Sequence, residues 1–122
     1  MIRPGVNRCI MIGYLNSDPE RRALQSGDFV VNFGLVTAAV WQDQHTGKER
    51  SRGEHHRVAI FNEALGRVAS DFLHKGSWVY LCGTLRTRRK IDAAGVQRDT
   101  SEITLLRFGG ELQMLDRREV GY

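Results

Sequence analysis

His55-His56-Arg57-Val58-Ala59-Ile60-Phe61-Asn62-Glu63-Ala64-Leu65-Gly66-Arg67-Val68-Ala69-Ser70-Asp71-Phe72-Leu73-His74-Lys75-Gly76-Ser77-Trp78-Val79-Tyr80-Leu81 changes its period twice. From His55 to Phe61, alternation puts His56, Val58 and Ile60 on a core face and His55, Arg57, Ala59 and Phe61 on the other, as in a strand. Leu65, Val68, Ala69, Phe72 and Leu73 then recur at helical spacing, with Asn62 placed to cap the first turn and Gly76 to end the segment. From Trp78 the two-residue period returns. A single helix is thus set between two strands.

Working outward, Val6, Arg8, Ile10 and Ile12 alternate in a first strand, and Phe29, Val31, Phe33 and Leu35 in a second. Turn residues at Asn16–Glu20 and Gln25–Asp28 lie between them. The polar stretch Gln42–Gly53 is long enough to read as a mobile functional hairpin loop. C-terminal to the helix, Val79, Leu81 and Leu85 share one strand face, and Trp78, Tyr80, Cys82, Thr84, Arg86, Arg88 and Lys90 share the other. Asp92–Gly95 turns the chain into a strand from Thr100 to Leu106, and a short strand follows at Leu112–Leu115. This order predicts an all-β fold with one helix: an OB-fold, five-stranded Greek-key barrel with the helix between strands 3 and 4 and extended β-hairpins.

The 122 residues, 41% hydrophobic and 26% charged, fit one domain. The formal charge is +4, and fifteen of the eighteen basic residues are Arg, whose planar fork suits phosphates and bases. No apolar stretch approaches the roughly 20 residues of a membrane span, and the N-terminus lacks a signal-peptide core, so a cytoplasmic protein is expected. Cys9 and Cys82 are far apart and read as reduced, buried or half-buried thiols.

Three places carry candidate binding chemistry. His55, Arg57 and Phe61 offer an aromatic ring, a guanidinium and an imidazole on one face, able to stack bases and hold phosphates; alternatively Phe61 turns in to cover the helix start. Arg86, Arg88 and Lys90 form a like-charge row in a run without acids, which calls for a bound anion, although charged edge strands also serve to block aggregation. Trp41 ends the second strand as a stacking platform, whereas Trp78 reads as barrel wall or subunit contact. His55 and His56 point to opposite faces and cannot chelate one metal, and no nucleophile–base pair or phosphate loop is present. Neither catalytic residues, a metal site nor a cofactor is expected.

Gly5–Arg8, Ile12–Glu20, His56–Phe61, Lys75–Ser77, Gly83–Arg88 and Gly109–Leu115 together resemble, in order and spacing, the bacterial and mitochondrial single-stranded DNA-binding proteins. The resemblance covers roughly residues 5 to 116. It implies a homotetrameric OB-fold protein that coats single-stranded DNA with little sequence preference in replication, recombination or repair. By the same resemblance, Trp41 and Phe61 stand where the family stacks bases, and Asn7, Arg8, Lys75, Arg86, Arg88 and Arg89 on or near its backbone-contacting surface. His56 and Tyr80 stand in its subunit contacts. Departures are His55 and Lys90, where the family commonly has Trp, and Glu63 in place of a Lys. These imply weaker, more salt-sensitive binding. Residues 1–116 are expected to form the domain and 117–122 a short extension without the acidic tail through which bacterial members recruit other proteins, which points to a truncated chain or a phage or plasmid paralogue. An OB-fold adaptor of the primosome type with reduced DNA binding, and an RNA-binding variant, remain the alternatives.

Overall fold

The computed structural model describes residues 1–116; the expected extension at 117–122 lies outside the described residues. Seven strands and one helix follow in the order β1 (Cys9–Leu15), β2 (Glu20–Ala23), β3 (Phe29–Gln42), β4 (Glu49–Ile60), α1 (Glu63–Phe72), β5 (Trp78–Ile91), β6 (Gln97–Leu105) and β7 (Glu111–Met114). Pairings run β1–β3–β4–β6–β5, and β5 returns to β1, so five strands form a ring. Only β4–β6 is parallel, and α1 lies in the chain between β4 and β5. β2 and β7 are additions, paired with β3 and β5 respectively.

The inward pleats supply the core: Leu15, Val31, Phe33, Leu35, Val58, Ile60, Val79, Leu81, Ile103 and Leu105 are all buried. Truncating a fully enclosed Leu such as Leu35 to Ala costs about 2–5 kcal/mol. On β1 the inward residues are Cys9, Met11, Gly13 and Leu15, while Ile10 and Ile12 face out. Gly13 sits where β1 crosses β3 so closely that a Cβ would lie 2.3 Å from the Val36 carbonyl oxygen. Residues 6–8 precede the strand instead of opening it. Both cysteines are free thiols, Cys9 half-buried and Cys82 buried.

α1 begins as expected, with the Asn62 side chain accepting from the Leu65 N–H at 3.1 Å, a cap worth about 1 kcal/mol. It ends at Phe72 with Leu73 as C-cap, and Gly76 instead makes the following turn at φ +93°. Leu65, Val68, Ala69 and Leu73 pack inward, but Phe72 is exposed, because a ten-residue helix laid on β3 and β4 buries only the centre of its apolar stripe. Leu85 also leaves the core and is 49% exposed, just past the end of the β1–β5 pairing at Gly83 although paired with the buried Ile103.

The largest correction concerns Gln42–Gly53. It is a β-ribbon, not an open loop: β3 and β4 pair without a register break from Val31↔Ile60 to Gln42↔Glu49. Only Asp43–Lys48 turns, with the Asp43 carboxylate accepting from the His45 and Thr46 N–H groups and Gly47 at φ +69°. β4 therefore starts six residues before His55, and β6 three residues before Thr100.

Candidate nucleic-acid interface

β5 changes partners midway, and its outward face changes chemistry at the same place. From Trp78 to Gly83 it lies between β1 and β7; from Thr84 to Ile91 it pairs with β6. The first half shows Trp78 and Tyr80 beside Tyr14 and Ile12 of β1, with Ile10 next in line. Ile10, Ile12, Tyr14 and Trp78 are 58%, 51%, 44% and 50% exposed, so Trp78 is not enclosed in the barrel wall. Tyr80 is half-buried and donates its hydroxyl to Glu111 at 2.9 Å, a bond that raises its pKa above the ordinary phenol value.

The second half is basic. Register aligns Arg57 of β4, Glu102 of β6 and Arg86 of β5 in one row of the outward face, since directly paired residues share a side of the sheet. His55 continues that face along β4, with Phe61 next in the alternation just beyond its end, and Arg88 and Lys90 continue it along β5. The row expected to lack acids receives them from the neighbouring strand. Glu102, only 8% exposed, lies 3.8 Å from Arg88, and Asp99 lies 3.8 Å from Arg89. Among the described residues, Arg57, Arg86 and Lys90 have no carboxylate within 4.0 Å. The free positive field is therefore smaller than the sequence run implies, and it is carried by those three.

The loop after β1 ties further candidates to this surface. Asn16 Nδ2 and His55 Nδ1 lie at hydrogen-bond distance, 3.3 Å, and Asp18 accepts from the Lys75 backbone N–H at 2.8 Å. His55 and Lys75 thus flank one loop. Asn7 and Arg8 are held elsewhere. The Asn7 amide both donates to and accepts from the Leu85 backbone, at 2.8 and 3.0 Å, extending the β1–β5 pairing through a side chain. Arg8 donates from Nε to the Cys82 sulfur at 3.2 Å and lies 3.7 Å from Glu111, contacts that raise its pKa and keep it charged.

The stacking candidates do not share one surface. Trp41 pairs with Arg50, and unbroken register places both on the inward pleat, opposite His55 and Phe61. Beyond the ring that pleat is open, leaving Trp41 46% exposed beside Arg50, which is anchored at 3.0 Å to Asp43. His56 shares this pleat and is hydrogen-bonded to Thr37 at 2.8 Å. Phe61 is half-buried just beyond β4, where it lines a groove of about 560 Å³ beside α1. Across that groove Arg21 lies over the Phe29 ring, 3.7 Å from its centroid, an aromatic–guanidinium pair that sequence reasoning missed. The signal was present: β2 and the start of β3 pair as Ala23↔Phe29 and Arg21↔Val31, but Glu20–Ala23 was not read as a strand.

The family model described as "Single-strand binding protein family" matches residues 6–114. A solved structure titled "Plasmodium falciparum SSB complex with ssDNA" superposes with a TM-score of 0.84 at 29% identity, covering 95% of this chain and 100% of that one. Residues 6–114, matched by the family model, take in the whole ring, both halves of β5, the β3–β4 ribbon and α1. This chain belongs to the single-strand binding protein family.

Proposed function

We propose that this chain binds single-stranded DNA with little sequence preference and coats it without catalysing a reaction. The observation that carries the reading is the outward face of β4, β6 and β5, where the rings of His55 and Phe61 adjoin Arg57, Arg86 and Lys90, cations with no carboxylate partner among the described residues. Rings accept any base and cations track any phosphate, so the combination holds a strand without reading its sequence. The family match and the single-stranded DNA in the related complex support the same reading. Labelled oligo-dT titrated at a series of salt concentrations tests it. Binding that quenches Trp fluorescence and weakens with salt is expected; absence of binding at low salt refutes it.

The exposed stripe of Ile10, Ile12, Tyr14 and Trp78 supports a homo-oligomer, for which a tetramer is proposed, with Tyr80 at the contact. A contiguous apolar face of this kind is costly to leave in water, and a second copy presents the same face. His56 lies on the opposite pleat, so an intersubunit role for it requires a second contact surface. Residues 1–116 are proposed as one binding domain.

A further inference from the structure

We infer that the groove between α1 and the β2–β3 hairpin holds an unstacked nucleotide of the bound strand, with Arg21 stacked on Phe29 as its platform. The inference deepens the DNA-binding reading above and rests on it. The groove, about 560 Å³, is bordered by Arg21, Phe29, Phe61, Arg86 and Arg107. Phe61 and Arg86 already belong to the outward face of β4 and β5, so a strand lying on that face reaches the groove without leaving a basic, ring-bearing surface.

The charge of the groove suits a phosphate. Arg21, Arg86 and Arg107 have no carboxylate within 4.0 Å among the described residues. Of the acids on its border, Glu63 is paired with Arg67 at 3.2 Å and Asp28 accepts from the Ser26 hydroxyl at 3.3 Å. Asp28 keeps its charge, as does Asp71, the penultimate residue of α1, so the four arginines of the groove lining exceed its three carboxylates by one.

The geometry suits a base. Arg21 and Phe29 sit diagonally across the β2–β3 pair, on the pleat that carries Val31 into the core. The Arg21 guanidinium carbon lies 3.7 Å from the Phe29 ring centroid, Phe29 is 47% exposed, and Arg21 is exposed as well, so the pair is accessible to a base. A base laid there extends a ring–guanidinium stack and presents its phosphate to Arg86 or Arg107. This platform adds a stacking position at the end of the barrel, away from His55 and Lys90.

The test uses the full chain and fluorescein-labelled oligo-dT of graded length at one salt concentration. Phe29→Ala and Arg21→Ala are each expected to weaken binding of long oligomers about 5- to 150-fold, the equivalent of one stacked base, while the shortest oligomers that the parent binds are unaffected. Arg21→Lys, which keeps the charge and removes the plane, is expected to fall between. Irradiated oligomers carrying 5-iodouracil are expected to cross-link to the peptides containing Phe29 or Phe61. Both substituted side chains are exposed, so melting temperatures should hold. If the parent binds oligo-dT and the alanine variants bind equally at every length, the groove assignment fails and the DNA reading stands; if the parent does not bind, the DNA reading itself fails. Variants with unchanged DNA affinity that lose binding to a poly-glutamate peptide would show a peptide site and overturn the assignment.

Discussion

Replacing Glu102 by Gln should make this protein bind single-stranded DNA more tightly and fold less stably. The carboxylate is 8% exposed, aligned between Arg57 and Arg86 and 3.8 Å from Arg88 Nε. At an effective permittivity of about 20, one such pair has a gross attraction of about 4 kcal/mol, which the half-exposed Arg88 and salt reduce to roughly 1 kcal/mol net. Gln keeps the oxygen that accepts from the Thr104 hydroxyl at 3.4 Å, so the expected loss of stability is about 1–2 kcal/mol, a fall in Tm of roughly 3–8 °C. The same carboxylate opposes phosphate. Removing it frees about one cation for the DNA backbone, steepening the slope of log K against log salt by about 0.7 for a single strand. With the two proteins equal near 1 M salt, the variant gains about 8-fold at 50 mM and about 3-fold at 200 mM. Anisotropy of labelled oligo-dT across a NaCl series, with a thermal melt of each protein, measures both effects. An unchanged slope, or weaker binding by a folded variant, would refute the idea that Glu102 holds down the field of this face.

Trp41 lies near the far end of the β3–β4 ribbon and Phe61 just past the other end of β4, so Trp41→Ala and Phe61→Ala should each cost about 1–3 kcal/mol of oligo-dT affinity and add within about 0.5 kcal/mol in the double variant; a large coupling energy in that cycle would mean that they grip one base together. Ile12→Lys places a charge in the middle of the exposed β1–β5 stripe and should dissociate the proposed oligomer in light scattering while the monomer keeps its far-ultraviolet dichroism. Asp92 organises the β5–β6 turn by accepting from Val96, from the Arg98 side chain and from Ala94, contacts that hold its pKa below the ordinary 3.8. Its stabilisation is therefore complete above that value and lost as pH falls through the lower, folded one, so melts from pH 6 to pH 2 should show the advantage over Asp92→Asn shrinking in acid. A constant difference down to pH 2 would count against the assignment.

What the sequence revealed depended on whether one face of a segment met the core. β4 from His55 onward and α1 each have one such face, and their periods were plain. The ribbon from Thr37 to Gly53 has solvent on both sides, so no hydrophobic alternation marks it, although Gln42 and Glu49 remain in register. β2 is exposed at all four residues and gave no period at all. β1 failed in a third way, because Ile10 and Ile12 on the outward pleat are as apolar as Cys9 and Met11 on the inward one. Its closest inward approach is made by Gly13, which has no side chain to show it. The outward isoleucines carry information of another kind, since they mark the face proposed to meet a second copy.

The proposed binding face was legible residue by residue but not as a field. Arg86, Arg88 and Lys90 could be placed on one side of a strand from parity alone, because that needs only positions a few apart. Their counter-charges could not, because Glu102 and Asp99 arrive from β6, whose pairing with β5 is set by the Asp92–Gly95 turn and by the parallel contact of β6 with β4. A run without acids is thus no measure of free charge in a sheet protein, where the nearest neighbour of a side chain is usually across the ladder. The same argument bears on the proposed affinity: cations with no carboxylate within 4.0 Å among the described residues, Arg57, Arg86 and Lys90 on the sheet and Arg21 and Arg107 at the groove among them, are those left for phosphate. Substituting these should cost more affinity than substituting Arg89, which faces Asp99 at 3.8 Å.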